Sequence, residues 1–65
     1  MSDETFSADA EALRETDKAL LCNIEGEEVW VPKSLIHDDS EVYSMKANAG
    51  TLIVPLWWAR KQGLA

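Results

Sequence analysis

The chain has 65 residues, a net charge of −6 and one cysteine, so it forms one small domain with no intrachain disulfide and little room for a large enzyme cleft. No apolar run approaches the roughly 20 residues of a membrane span, and the acidic N-terminus lacks the basic start and apolar centre of a signal peptide, so we expect a cytoplasmic protein without a membrane anchor. The acidic balance also argues against direct binding of nucleic acid, which needs a basic surface against the phosphates.

The N-terminal stretch has apolar residues at helical spacing. Phe6, Ala10 and Leu13 lie three or four positions apart, with acids between them. Ser7 is a candidate N-cap, and the acids that follow it suit the positive end of a helix dipole. We therefore predict a helix over about residues 7–16 that covers one face of a sheet.

The central stretch from Lys18 to Lys33, KALLCNIEGEEVWVPK, has the pattern of a β-hairpin. Two β-prone runs flank Glu25-Gly26, and Gly26 can take the positive φ of a tight two-residue loop. Both faces of the hairpin carry large apolar residues, so we expect both to be covered. The alternation places Cys22 in the core rather than at a reactive surface position. The expected facing pairs are Ile24 with Glu27, Cys22 with Val29 and Leu20 with Val31 on one face, and Leu21 with Trp30 and Asn23 with Glu28 on the other.

A proline and a polar loop follow this hairpin. Pro32 lacks an amide donor and so ends the second strand or places it at a sheet edge, and Ser34 is a candidate cap for a single turn after it. His37 has two neighbouring aspartates but no second histidine or cysteine to complete a metal site, so no metal is expected. A triad of Ser34, His37 and Asp38 would lie in one loop without a nucleophile elbow or oxyanion donors, so no enzyme activity is expected.

Residues 41–46, EVYSMK, and 51–55, TLIVP, form a second hairpin pattern around residues 47–50. Two hairpins at this spacing predict a compact, twisted antiparallel sheet of about four short strands. The expected facing pairs are Tyr43 with Val54, Met45 with Leu52 and Ser44 with Ile53.

The closing stretch, PLWWARKQGLA, predicts a short helix over about residues 56–62. Gly63 suits the C′ position, with Leu64 packing back onto the helix. Trp57 and Trp58 point about 100° apart on such a helix, so one of them should stay partly exposed. That tryptophan either packs at the rim of the core or anchors a partner.

The predicted fold class is therefore α+β. It has an N-terminal helix, an antiparallel sheet built from two hairpins and a short C-terminal helix. Residues 1–6 are expected to be frayed, and residues 7–64 are expected to form a single small domain.

The segment GEEVWVPKS, preceded by KALL and followed by GTLIVPLWWARKQGL, resembles a set of short proteins from phages and mobile elements. Their shared pattern is KAhLhxhxGxxhWhPKSxh, where h is apolar, and it is most specific from Trp30 to Ser34. The short length, acidity and helix-plus-sheet layout are also similar to small anti-CRISPR proteins of the group that acts on type I-C surveillance complexes. This resemblance implies a cytoplasmic protein of infected bacteria that acts by binding, and it assigns no inhibitory residue.

Negative charge is concentrated in the first two thirds of the chain. All twelve carboxylates lie at or before Glu41. A helix rises about 1.5 Å per residue, so acids two to four positions apart approach, more sparsely, the one charge per about 1.7 Å of duplex DNA. We therefore predict a surface that binds a basic partner. The candidate partner-binding residues are Asp9, Glu11, Glu15, Asp17, Glu25, Glu27, Glu28, Asp38, Asp39 and Glu41, together with Trp57 and Trp58.

Two functional hypotheses follow. The first is a non-enzymatic inhibitor, an anti-CRISPR protein that binds a Cascade-type surveillance complex and blocks access of target DNA, acting as an acidic DNA mimic. The second is an accessory module that binds a phage or plasmid replication protein through an apolar face bearing Trp57 or Trp58. Neither hypothesis requires a cofactor, and both a monomer and a homodimer are compatible with the sequence.

Overall fold

Four antiparallel strands form one sheet in the order β3-β2-β1-β4, and one short helix follows the last strand. The computed structural model describes residues 4–65. The fold class is α+β, as predicted, but within the described residues the only α-helix is the C-terminal one. The elements are β1 (Thr5–Glu15), β2 (Ala19–Ile24), β3 (Glu27–Pro32), a 3-10 turn (Lys33–Leu35), β4 (Ala49–Pro55) and α1 (Leu56–Lys61).

The predicted N-terminal helix over residues 7–16 is wrong, because this stretch is the central strand β1. Its burial alternates with a period of two: Ala8, Ala10 and Ala12 are buried, and the residues between them are exposed. Alanine is only weakly hydrophobic, so in the sequence this alternation is less apparent than the helical spacing of the larger apolar residues. Pairing on both sides of β1 then decides its conformation, since tertiary contacts override local propensity.

Strand β1 begins at Thr5, inside the stretch expected to be frayed, and residues 1–3 lie outside the described residues. Its N-terminal half pairs with β4 and its C-terminal half with β2, with a bulge between Ala12 and Arg14. The sheet is therefore staggered, and only the middle of β1 has a neighbour from both β2 and β4.

The central hairpin has the predicted register, with Leu20 facing Val31, Cys22 facing Val29 and Ile24 facing Glu27. Glu25 (φ 51°) and Gly26 (φ 95°) form its two-residue loop, and positive φ at both positions is the signature of a type I′ turn. Asn23 supports the turn, because its Oδ1 accepts a hydrogen bond from the Gly26 N–H at 3.0 Å.

Strand β3 ends at Pro32 and forms one edge of the sheet, as predicted. The 3-10 turn after it has no side-chain cap, so the predicted role of Ser34 as a cap is wrong.

The predicted second hairpin is wrong, because residues 41–46 form no strand and β4 pairs with β1 instead. Leu52 and Val54 of β4 are buried beside β1, whereas Tyr43 and Met45, their expected partners, are exposed. In β1 the alanines at alternate positions supply the apolar face that β4 needs, and this pairing joins segments about 45 residues apart that local pattern cannot connect. Val42 is the one side chain of the 41–46 segment that enters the core.

The outer edge of β4 is occupied by the loop that follows the 3-10 turn. Backbone N–H groups of His37 and Glu41 donate to the carbonyls of Ile53 (2.8 Å) and Thr51 (2.7 Å). Ser40 completes this edge, because its buried hydroxyl accepts from the Ile53 N–H at 2.8 Å and donates to the Ile53 carbonyl at 3.1 Å. The loop thus satisfies backbone groups that an edge strand would otherwise expose.

The core lies on one face of the sheet. Small alanines in β1 lie between larger side chains of the neighbouring strands, and this leaves room for α1 over β1 and β4. Cys22 is fully buried, as predicted. The buried apolar side chains are Ala8, Ala10, Ala12, Leu20, Cys22, Ile24, Val31, Val42, Leu52, Val54, Trp58 and Ala59.

Helix α1 ends in a Schellman motif, as the sequence predicts. The Leu64 N–H donates to the Ala59 carbonyl at 2.8 Å, and the Gly63 N–H donates to the Arg60 carbonyl at 3.1 Å. Gly63 has a φ of +80°, and Leu64 packs back against the core. This cap fixes α1 over the same face of the sheet as Val42.

The opposite face of the sheet has no cover among residues 4–65, so the expectation that both faces of the hairpin are covered is wrong. Trp30, on that side of β3, is 48% exposed. An antiparallel sheet with one face on the core and one face in solvent is a common arrangement. We call the uncovered side the open face. From the strand register its members include Ser7, Asp9, Glu11, Arg14, Leu21, Asn23, Glu28, Trp30, Thr51 and Ile53.

Candidate binding face

Three acids from two strands, β1 and β3, lie on the open face. Glu28 of β3 faces Asn23 of β2, which faces Glu11 of β1, so the three form a row across the sheet. Asp9 lies two residues before Glu11 on the same strand and therefore on the same side. The carboxylates of Asp9, Glu11 and Glu28 are all exposed. We call Asp9, Glu11 and Glu28 the acidic patch.

The spacing of the patch follows from sheet geometry. Residues two apart on a strand are about 6.8 Å apart, so this separates Asp9 from Glu11. Glu11 and Glu28 are two strand spacings apart, or about 10 Å. Glu25 lies in the hairpin turn directly after Ile24, whose partner in β1 is Ala10, and so lies at the same end of the hairpin as the patch. The patch is sparser than the charge of duplex DNA, but β1 and the hairpin hold it in one orientation.

A row with apolar residues runs beside the acidic patch. Trp30 faces Leu21, and Leu21 faces Arg14 in the next row of the sheet. Trp30 is a large exposed aromatic on a rigid strand, the kind of residue that anchors many protein interfaces. It was missing from the residues chosen from the sequence, although its pairing with Leu21 on a second apolar face was the signal that could have identified it.

Glu15 lies away from the patch, at the end of β1, and has a structural role. Its Oε2 pairs with the Lys33 ammonium, and its Oε1 accepts from the Met45 N–H at 3.0 Å. The hydrogen bond from Lys33, followed by that from the Met45 N–H, lowers the pKa of Glu15. This carboxylate therefore connects three parts of the chain and is less available to a partner than the patch residues.

The remaining predicted acids are dispersed. Glu41 caps the β4 edge, because its Oε1 accepts from the Thr51 N–H at 2.9 Å. Asp38 and Asp39 lie in the loop with His37, whose Nδ1 accepts from the Asp39 N–H at 3.1 Å. The others are Glu27, on the opposite side of β3 from the patch, and Asp17, in the turn between β1 and β2.

The two neighbouring tryptophans have opposite environments. Trp58 is buried with 6% of its surface exposed, so it is a core residue and no partner can reach it in the folded state. Trp57 is 58% exposed and lines a small depression of about 80 Å³ with Glu4, Leu56 and Arg60. One partly exposed tryptophan was predicted from the sequence, and the structure identifies it as Trp57.

The larger depression lies beside the 3-10 turn. It has a volume of about 370 Å³ and is lined by Lys33, Ile36, His37, Asp38 and Tyr43. Within residues 4–65, no three histidine, cysteine, aspartate or glutamate side chains are arranged to hold a metal ion. None of the helices in that part of the chain is both long enough and apolar enough to cross a membrane.

Comparison with known proteins adds no relative. The chain matches no protein-family model, no curated protein and no solved structure.

Proposed function

We propose that this protein is a non-enzymatic inhibitor that docks its acidic patch into a basic, nucleic-acid-holding groove of a partner complex. The observation that carries this proposal is that Asp9, Glu11 and Glu28 converge on the one uncovered face of the sheet. Charges on a rigid strand lose little backbone freedom on binding, which favours a defined complex over loose attraction.

The groove of a CRISPR surveillance complex has the required chemistry. Such complexes hold nucleic acid in channels lined by lysine and arginine side chains. A protein with a net charge of −6 is attracted to such a channel by long-range electrostatics. The acidic patch then occupies positions otherwise taken by phosphates. We therefore propose that the protein acts in the cytoplasm of an infected bacterium and blocks target DNA from a type I complex. The resemblance to anti-CRISPR proteins suggests type I-C.

A matched pair of charge-reversal variants tests this function. The patch variant carries Asp9→Lys, Glu11→Lys and Glu28→Lys. The control carries Asp17→Lys, Asp38→Lys and Asp39→Lys, which changes net charge equally at exposed sites away from the patch. Binding of labelled target DNA to a purified type I-C complex is measured with each variant at low and high salt.

The proposal predicts that the patch variant loses inhibition and the control keeps most of it. Added salt should weaken inhibition by the native protein, because the charges are screened. Equal loss in both variants would show that only net charge matters. Full inhibition by the patch variant would rule out the acidic patch as the binding surface.

Exposure of Trp57 favours a second candidate function, an accessory module that binds a phage or plasmid replication protein. A 58% exposed tryptophan on a short helix suits an apolar contact that depends little on salt. Under this alternative, Trp57→Ala abolishes association with the replication protein while the patch variant still binds. Trp30→Ala serves as the comparison, because it removes an exposed tryptophan from a different surface.

A further inference from the structure

Strand β3 leaves backbone groups pointing away from the sheet. In the hairpin, the Lys33 N–H donates to the Lys18 carbonyl at 2.9 Å, and facing pairs alternate between bonded and non-bonded along an antiparallel ladder. The pairs of Leu20, Cys22 and Ile24 are therefore the bonded ones. The N–H and C=O groups of Glu28 and Trp30 point outward from the edge, and no strand formed by residues 4–65 lies beyond β3.

The side chains along this edge divide into an apolar centre and charged ends. Trp30 is half exposed beside Leu21 on the open face. Glu27 and Glu28 lie at the turn end of β3, and Lys33 lies just beyond its other end. The acids thus lie at one end only, so antiparallel pairing of two identical strands places them at opposite ends of the shared edge. The Lys33 ammonium at the other end is paired with Glu15 of its own chain.

We propose that β3 pairs antiparallel with β3 of a second copy, with Trp30 facing Trp30 at a two-fold axis, so that two four-stranded sheets become one continuous sheet. The two Trp30 residues exchange N–H···O bonds. The Glu28 N–H of each copy donates to the Pro32 carbonyl of the other. Pro32 has no amide N–H, so the pair of Glu28 and Pro32 makes one hydrogen bond instead of two, and the Glu28 carbonyl stays exposed to solvent at the end of the shared ladder.

Charge selects this register over its neighbours. With Trp30 at the axis, Glu27 of each copy lies across from Lys33 of the other; the Lys33 ammonium already pairs with Glu15 of its own chain, so the separation of the glutamates, and not a new ion pair, favours this register. Glu28 faces Pro32 and lies four residues along the strand from its own counterpart, which is about 13 Å, beyond the screening length of about 8 Å at physiological salt. Shifting the pairing by one step toward the turn places Glu28 opposite Trp30 and brings the two Glu28 residues to a diagonal separation of about 8 Å. A further step sets the two Glu28 residues opposite each other, where like charges are unfavourable.

The pairing has a consequence for the shape of the acidic surface. A two-fold axis through an antiparallel strand pair is perpendicular to the sheet, so both open faces lie on the same side. The dimer then presents two acidic patches on one face, separated by an apolar centre containing Leu21 and Trp30 of each copy. This inference rests on the edge of β3 and does not depend on the proposed function.

Light scattering during size-exclusion chromatography tests the dimer. The native chain should approach twice its mass of 7.3 kDa as its concentration rises from micromolar to millimolar. Glu28→Pro removes an outward N–H without removing a bond of the β2–β3 ladder, and should keep the chain monomeric. Glu28→Thr is the control, because it removes the same charge but keeps the N–H, and it should still dimerise. Circular dichroism checks that both variants fold.

Disulfide cross-linking with oxidised glutathione tests the register. Trp30→Cys places two thiols at the axis with Cα atoms about 5.5 Å apart, within the range that a disulfide spans. Val29→Cys places them diagonally at about 8 Å, and Trp57→Cys reports random collision. Native Cys22 is buried and can stay in place. Cross-linking should be at least tenfold faster for Trp30→Cys than for either control.

Two results would overturn the proposal. The first is a constant monomeric mass at every concentration, together with equal cross-linking of Trp30→Cys and Trp57→Cys. The second is faster cross-linking of Val29→Cys, which would place Val29 at the axis and contradict the charge argument. Loss of inhibition by a variant that still dimerises would count against the proposed function and leave the dimer intact.

Discussion

At the scale of single residues, burial governs the chemistry of the one thiol in the chain. Cys22 is fully enclosed by the core, and this burial raises its pKa from 9.0 to about 11, because an apolar environment disfavours the thiolate. We predict that the folded protein does not react with thiol reagents at neutral pH and reacts fully in denaturant. Timed labelling with and without urea measures this. Rapid labelling of the folded chain would contradict the burial.

The raised pKa of Cys22 also makes the free energy of unfolding depend on pH. The folded pKa of Cys22 lies above its unfolded value, so its contribution to stability is complete below pH 9.0 and decreases as the pH rises toward about 11. Urea unfolding across this range should therefore show a loss of stability. The variant Cys22→Ala is the control, because it removes the thiol and leaves every other side chain in place.

The hairpin turn contains a local conflict that a single substitution can relieve. Glu25 has a φ of 51°, a conformation that favours glycine or asparagine over other side chains. We expect Glu25→Asn to stabilise the protein by about 0.5–1 kcal/mol, measured as a rise in the urea midpoint. Glu25→Gln removes the same charge and keeps a long side chain at positive φ, so an equal gain there would attribute the effect to charge.

At the scale of elements, one ion pair connects the end of β1 to two loops. Lys33 and the Met45 N–H both hold the Glu15 carboxylate and lower its pKa below 4.5. Since the folded pKa is lowered, the contribution of Glu15 is present above pH 4.5 and disappears as the pH falls through the folded value. We predict that Lys33→Met moves the pKa of Glu15 back toward 4.5, measured by NMR titration. Lys18→Met is the matched control, and an equal shift there would contradict the pairing.

The elements differ in how far sequence could predict them. The central hairpin depends on a turn and on neighbouring residues, so its register, its loop and the edge position of β3 follow from local pattern. Strand β1 depends on partners distant in sequence, and its alanines fit a helix and a strand equally well. Its assignment required knowing that β4 pairs with it rather than with residues 41–46, which no local pattern specifies.

At the scale of the whole molecule, the distribution of carboxylates could be predicted only in part. The excess of acids was visible in the sequence, but the first four candidates, from Asp9 to Asp17, were chosen for spacing on a helix that does not form. The sheet brings Asp9, Glu11 and Glu28 together because alternate strand residues share a face, and it directs Glu15 and Glu41 into hydrogen bonds with the backbone. The pairing of the strands therefore decides which acids are available to bind a partner.

The electrostatic potential is therefore uneven over the surface, and the two exposed tryptophans lie in regions of opposite sign. Trp30 lies beside the acidic patch, with Glu28 on the same strand and face. Trp57 lies on α1 near two cations, Arg60 and Lys61, and one acid, Glu4, so its surroundings are positive on balance. A surface charge attracts ions of opposite sign and repels those of the same sign. We predict that caesium quenches Trp30 fluorescence more strongly than iodide does, relative to neutral acrylamide, and that Trp57 shows the opposite order.

Two variants isolate these signals. Trp57→Phe reports Trp30, and Trp30→Phe reports Trp57, while buried Trp58 contributes a weakly quenched background in both. The difference in ion preference between the two tryptophans should disappear in 1 M sodium chloride, where the screening length falls to about 3 Å. Equal preference for the two ions at both tryptophans in low salt would mean that the open face carries no excess negative potential. The acidic patch would then have no electrostatic basis for selecting a basic groove.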